Sequence, residues 1–184
     1  MKENTTNTIV VTENAKITET DPRTGKPVEI HFSTLKEGKS MDTSLRERKY
    51  DLCCTYHAHN DNGDFFEVRL GDNFHKMSKE TQTFLADVEI AHILRGHMSY
   101  GRSVFGLFIF SNKYAKYLYN NKSIMMQADI YAAMFGHQKL NEEILEKIFT
   151  ELETIPMNKR DVKILSLRKE HLLNIIEYLN KKEK

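Results

Sequence analysis

The chain has 184 residues and a formal net charge of +1, with apolar residues at 40 % and charged residues at 29 %. That length buries a hydrophobic core in one domain or two small ones, and that balance excludes a disordered chain. It also excludes a partner selected by overall charge, so any charged partner has to be read from local distribution. Cys53 and Cys54 are the two cysteines and they are adjacent, which would strain a disulfide between them. The chain therefore reads as reduced and cytoplasmic. Met1 to Thr8 lack the apolar centre of a secretory signal, and the longest apolar run, Val104 to Phe110, is too short for a bilayer. Plentiful Lys, Asn, Ile and Tyr without Trp fit an AT-rich bacterial or phage genome.

The first part of the chain reads as β structure. Thr8 to Thr20 is rich in Thr, Val and Ile, and Val28 to Leu35 sets Val28, Ile30 and Phe32 on one face. Asp21 to Lys26 and Pro27 between them form a Pro/Gly-punctuated turn, which predicts a hairpin. Lys36 to Lys49 is a polar connection. A second hairpin is predicted from Asp51 to His59 and Phe65 to Leu70, because Asn62-Gly63 between them suits a tight turn with positive φ. Gly71-Asp72-Asn73 closes the β part.

From Ser78 the apolar period becomes helical. Ser78 is the expected N-cap of a helix carrying Phe84, Leu85, Val88, Ala91 and Leu94, with Gly96 near its end. Ser103 to Phe110 reads as a buried strand or a short buried helix, its β-branched and aromatic content favouring the strand, and 112–120 as a short helix. Ser123 is expected to cap a helix through Phe135, stopped by Gly136. Asn141 is expected to cap one through about Thr154, stopped by Pro156, and Ser166 to cap the last. The architecture predicted is α+β: antiparallel hairpins over 1–74, then a helical region over 75–184, with the two regions able to form one compact domain.

Three stretches carry candidate chemistry. Ile90 to Ala128 holds no acidic residue and five cations, Arg95, Arg102, Lys113, Lys116 and Lys122. Tyr100, Tyr114 and Tyr117 are interleaved with them, as a phosphate-bearing or acidic partner would require. The plainer alternative is a core segment whose lysines face water. Over 141–155 five glutamates oppose one lysine, with Glu142 and Glu143 in a first turn that the helix dipole favours, and Glu146 and Glu151 further along.

The third stretch is His57-Ala58-His59-Asn60-Asp61, two imidazoles on alternate strand positions with a carboxylate just beyond. It resembles part of the metallo-β-lactamase signature, although the histidine that follows the aspartate there is Asn62 here. That resemblance implies a metal-dependent hydrolase using His57, His59 and Asp61. The competing reading is a plain hairpin end. Glu89-Ile90-Ala91-His92 matches the Glu-x-x-His spacing of di-iron bundles in a single copy, and His31-Phe32-Ser33 resembles one half of a two-histidine phosphoesterase. No Walker loop, dinucleotide fingerprint, nucleophile elbow or zinc-finger spacing occurs. The helices at 142–154 and 167–180 are separated by too long a connection for a helix-turn-helix.

The expectation is therefore a binding protein rather than an enzyme, with no cofactor. It would act as a stoichiometric inhibitor or regulator of a nucleic-acid-handling machine, such as a host defence nuclease, and come from a phage or other mobile element. Its partner is expected to be a protein, within reach of a nucleoprotein complex or a nucleic-acid backbone, and not a membrane. The alternatives are the metal-dependent hydrolase and a virion or assembly component.

Overall fold

The computed structural model describes residues 14–34, 52–60, 63–97, 122–155 and 159–182. The expected strand or buried helix at 103–110 and the short helix at 112–120 lie outside these residues. The first hairpin pairs β1 (Lys16–Thr20) with β2 (Pro27–Thr34) antiparallel, Ile17 opposite Ile30 and Glu19 opposite Val28. Its turn is organised by Asp21, whose Oδ1 accepts from the Arg23 amide at 2.8 Å while its carbonyl accepts from Gly25 at 2.8 Å. Gly25 sits at φ +69°, a conformation that L side chains rarely adopt.

The second hairpin pairs β3 (Cys53–Asn60) with β4 (Gly63–Leu70), Cys53 opposite Leu70 and Asn60 opposite Gly63. The two hairpins join through β2 and β4, which run parallel, so the strand order is β1-β2-β4-β3. A parallel central pair follows from the route of the chain: it leaves β2, passes to the far edge as β3, and turns back into the gap as β4. One face of this sheet is greasy. Ile30, Phe32, Val68 and Leu70 are all buried, and Phe66 and Val28 pack beside them. The other face carries Ser33, Glu67 and Arg69, with the Ser33 hydroxyl donating to Glu67 at 2.7 Å and Arg69 Nε donating at 2.9 Å.

The chain leaves β4 through a single helical turn, α1 (Asp72–His75), rather than a plain loop. It then enters α2 (Lys79–Leu94), the helix on which the fold is centred. Twelve of its sixteen residues are buried, because it packs against β3 and β4 on one side and against two further helices on the other. A helix enclosed all round has no solvent face to reserve for polar residues. The polar residues it does carry are therefore inside the protein, where each needs a partner. Ser78 caps it as expected, its Oγ accepting from the Thr81 amide. Gly96, at φ +72°, follows its end.

α3 (Lys122–Phe135) packs on α2, and α4 (Glu142–Glu153) does so beside it, capped by the Asn141 side chain. α5 (Lys159–Lys182) lies against α3 and α4. It begins seven residues before Ser166, which therefore does not cap it. Ser166 sits inside the helix and donates its hydroxyl to the Val162 carbonyl at 3.0 Å. That bond satisfies the hydroxyl without ending the helix, while Leu165 beside it is buried in the core. The connection from α4 to α5 consequently shortens to five residues. One hydrophobic cluster runs from Ile30 and Phe32 of the sheet through Phe84 and Ile93 of α2 to Phe149 and Leu172 of the outer helices. No helix of the described residues is long and apolar enough to cross a membrane.

Candidate functional site

Four carboxylates singled out from the sequence lie on α4, and the structure separates them into two roles. Glu142, Glu143 and Glu146 are exposed, and Glu146 accepts from Lys169 of α5 at 2.7 Å. Glu151 is half-buried and turned inward. Its Oε2 accepts from the Ser78 hydroxyl at 2.8 Å, and both its oxygens lie 3.1 Å from the Ser78 amide. Burial pushes its carboxyl up, but hydrogen bonds from Thr81 and Ser78 outweigh that and hold it below the usual range. Glu151 thus ties α4 to the start of α2. An open cleft between these helices is lined by Ser78, Glu80, Glu143, Glu146, Lys147, Thr150 and Glu151.

Of the basic-aromatic set, Arg95 is exposed at the C-terminal cap of α2, and Lys122 opens α3. Tyr100, Arg102, Lys113, Tyr114, Lys116 and Tyr117 lie outside the described residues. His57 and His59 occupy register positions opposite Phe66 and Asp64, in the same alternation as Cys53 and Thr55. The side chains of His57 and His59, and Asp61 altogether, lie outside the described residues. Among the described residues no three His, Cys, Asp or Glu side chains gather to hold a metal ion.

The interior polar groups of α2 form two constellations that the sequence reading did not assemble. In the first, Glu89 accepts from the Thr55 hydroxyl of β3 at 2.5 Å and from the Cys53 thiol at 3.8 Å. Burial pushes its carboxyl up to about 7, with Thr55, the Arg168 charge and Cys53 acting the other way. One turn on, His92 Nδ1 lies 2.9 Å from His97 Nδ1, and His97 Nε2 lies 3.3 Å from Gln127 Oε1. If Gln127 accepts, His97 is the Nε2–H tautomer and accepts at Nδ1 from His92. Burial, then the neighbouring His97 and Arg168, push His92 down to about 3, so it stays neutral. Arg168 itself grips fully buried Asp129 of α3 through Nε at 2.9 Å and Nη2 at 2.6 Å. The Glu89/His92 pair flagged by its spacing is therefore part of a polar seam between β3, α2, α3 and α5.

The second constellation follows α3. Gly136 ends that helix, and His137 turns back towards α2. Its amide donates to Asp87 Oδ2 at 2.9 Å and its Nδ1 meets Asp87 Oδ1 at 2.6 Å, while Nε2 reaches Glu19 of β1 at 3.2 Å. Burial works against an imidazolium here, but bonds to Asp87 and Glu19 outweigh it and raise His137 to about 9. A protonated imidazole between two carboxylates is a clamp, not a general base. Gly136 is required by the close approach: a Cβ there would lie 2.3 Å from the Ala132 carbonyl oxygen and 2.5 Å from Asp87 Oδ2. Gly136→Ala is therefore expected to cost about 1–3 kcal/mol in urea unfolding. In an Asp87→Ala background it should cost measurably less, since the carboxylate contact is then gone and only the Ala132 carbonyl remains in the way.

The signal available in the sequence for both constellations was three polar residues, Asp87, Glu89 and His92, within the otherwise apolar run from Phe84 to Leu94. No family model matches this chain, and neither a curated protein nor a solved structure does.

Proposed function

We propose that the protein works by binding, as a stoichiometric inhibitor or regulator of a nucleic-acid-handling machine such as a host defence nuclease, encoded by a phage or other mobile element. The observation that carries this reading is the exposed acidic face of α4. Glu142, Glu143 and Glu146 stand on a helix whose start is fixed by the Asn141 cap, with the Ile144 amide donating to Asn141 Oδ1 at 2.8 Å. Carboxylates held in place on a rigid element need no ordering when they meet a partner. A basic channel built for phosphates would meet in Glu142 and Glu143 fixed anions, with Glu146 beside them paired to Lys169. Glu80 and Glu143 both line the cleft beside this face and extend it towards α2. Further support comes from the interior: Asp87, Glu89, Asp129 and Glu151 each have a partner within the fold. The basic-aromatic stretch from Arg95 to Lys122 is the second arm of the proposal, addressing the partner's acidic groove or its bound nucleic acid.

The test is an affinity pull-down from host lysate, with and without nuclease, using wild-type protein and a Glu142→Gln/Glu143→Gln variant. A single protein retained after nuclease and bound about tenfold more weakly by the variant is the expected result. Equal capture by both proteins would remove α4 from the interface. Recovery of nucleic acid alone, lost on nuclease treatment, would overturn the inhibitor reading.

A further inference from the structure

We propose that this chain pairs with a second copy of itself through the outer face of α3, about a two-fold axis passing through Ile130. Met126, Ile130 and Met134 follow one another at four-residue spacing and so form one row along the helix. All three are exposed, at 38 %, 36 % and 48 %, and Phe135 beyond them is 64 % exposed. The Phe135 ring leans on Tyr131, with centroids 5.2 Å apart.

A surface helix ordinarily places charged residues on this side. The neighbouring helices do so: α4 exposes Glu142, Glu143 and Lys147, and α5 exposes Lys163, Glu170 and Glu177. α3 does not. Apart from Lys122 at its start, the ionisable residues of α3 are Asp129, buried against Arg168, and half-buried Tyr131. Its outer row is free of charge.

That property selects the occupant. An uncharged row offers nothing by which an acidic or basic partner would recognise it. In a two-fold contact, by contrast, each residue meets its own copy or a symmetry-related neighbour, and any charge near the axis would face its like. The row Met126, Ile130, Met134 also reads the same in both directions. An antiparallel copy sets Ile130 on Ile130 and each Met126 against a Met134. Four-residue rows are the ridges that interdigitate when two helices cross at about −50°. Flexible methionine side chains fill the gaps on either side of such a crossing. The row is about 12 Å long, which suits a reversible, concentration-dependent dimer rather than a permanent one.

Sedimentation equilibrium of the full chain across the micromolar range tests this. The expected result is a monomer–dimer equilibrium that Ile130→Lys weakens by about tenfold or more, with circular dichroism and melting unchanged. Should Ile130→Lys fold poorly, Ile130→Ser takes its place. A wild-type protein that stays monomeric throughout overturns the proposal, as does a folded Ile130 variant that dimerises as well as wild type. Register is read by mild oxidation in a Cys53→Ser/Cys54→Ser background. Ile130→Cys should cross-link to itself, and Met126→Cys should cross-link with Met134→Cys but not alone. Self-linking by Met126→Cys as readily as by Ile130→Cys would overturn the axis.

Discussion

Replacing Arg168 with methionine is expected to lower the unfolding free energy by about 3–5 kcal/mol, the range for stranding one partner of a buried ion pair. Asp129 has no solvent access, and the carboxylate is held by two bonds from one guanidinium, at 2.9 and 2.6 Å. Without that cation a charge remains in the space between α3 and α5 with no water to solvate it. In a chain of this length the melting temperature should fall by roughly 10 °C. Arg168→Lys should fall between the two, because an ammonium cannot reproduce the planar two-point grip. The double variant Asp129→Leu/Arg168→Met should recover most of the loss, since it removes both charges and fills the space with hydrocarbon. The same substitution has a second readout. Arg168 is one of the groups holding Glu89 down against burial, so the Glu89 carboxyl should titrate above about 7 in Arg168→Met, followed by carbon NMR. A loss below about 1 kcal/mol would mean that water reaches the pair and that it behaves as a surface contact.

How much of this could be seen in the chain beforehand depends on the sequence distance over which each contact is made. The pairing of β3 with β4, the Ser78 and Asn141 caps and the Gly96 stop join residues close in sequence, and local chemistry specifies them. Ser166 misled for a related reason. A serine ahead of an apolar run looks the same whether its hydroxyl caps the next turn or bonds back to Val162. The parallel meeting of β2 and β4 has no local signature, because it depends on where β3 is placed. The interior polar contacts are more distant still. His137 lies fifty residues from Asp87 and 118 from Glu19, and Arg168 lies 39 from Asp129. The Glu89-to-His92 spacing could be seen, and His97 is only five residues from His92, but Thr55 and Cys53 come from a strand that only the fold brings near Glu89. The exposed acidic face of α4 was legible because a helical period predicts it. The inward turn of Glu151 was not, since it depends on Ser78, 73 residues away.

The clamp at His137 should make stability fall as the solution becomes alkaline. Its folded-state value, about 9, lies above the ordinary 6.5, so the native state holds this proton more tightly than the unfolded chain does. The stabilisation is complete below pH 6.5 and is lost as pH rises through about 9. Integrated over that window it amounts to about 3 kcal/mol. Glu89 also contributes a falling slope, because its raised carboxyl favours folding only while protonated, but that slope ends near pH 7. Between pH 7 and 9 the two effects separate. Urea midpoints measured across this interval should decline in wild type and decline far less in His137→Gln. Asp87→Asn should lower the His137 titration seen by NMR towards its ordinary value and destabilise the protein by about 3 kcal/mol at pH 7, because a buried charge-assisted bond is lost. Glu19→Gln should lower the titration by less, since Glu19 reaches only Nε2, at 3.2 Å, from a more exposed position on β1. If His137 titrated near 6.5 in wild type, its imidazole would be an ordinary neutral donor to Asp87. The first hairpin would then be joined to α2 by hydrogen bonding alone, and the alkaline slope would have to arise elsewhere.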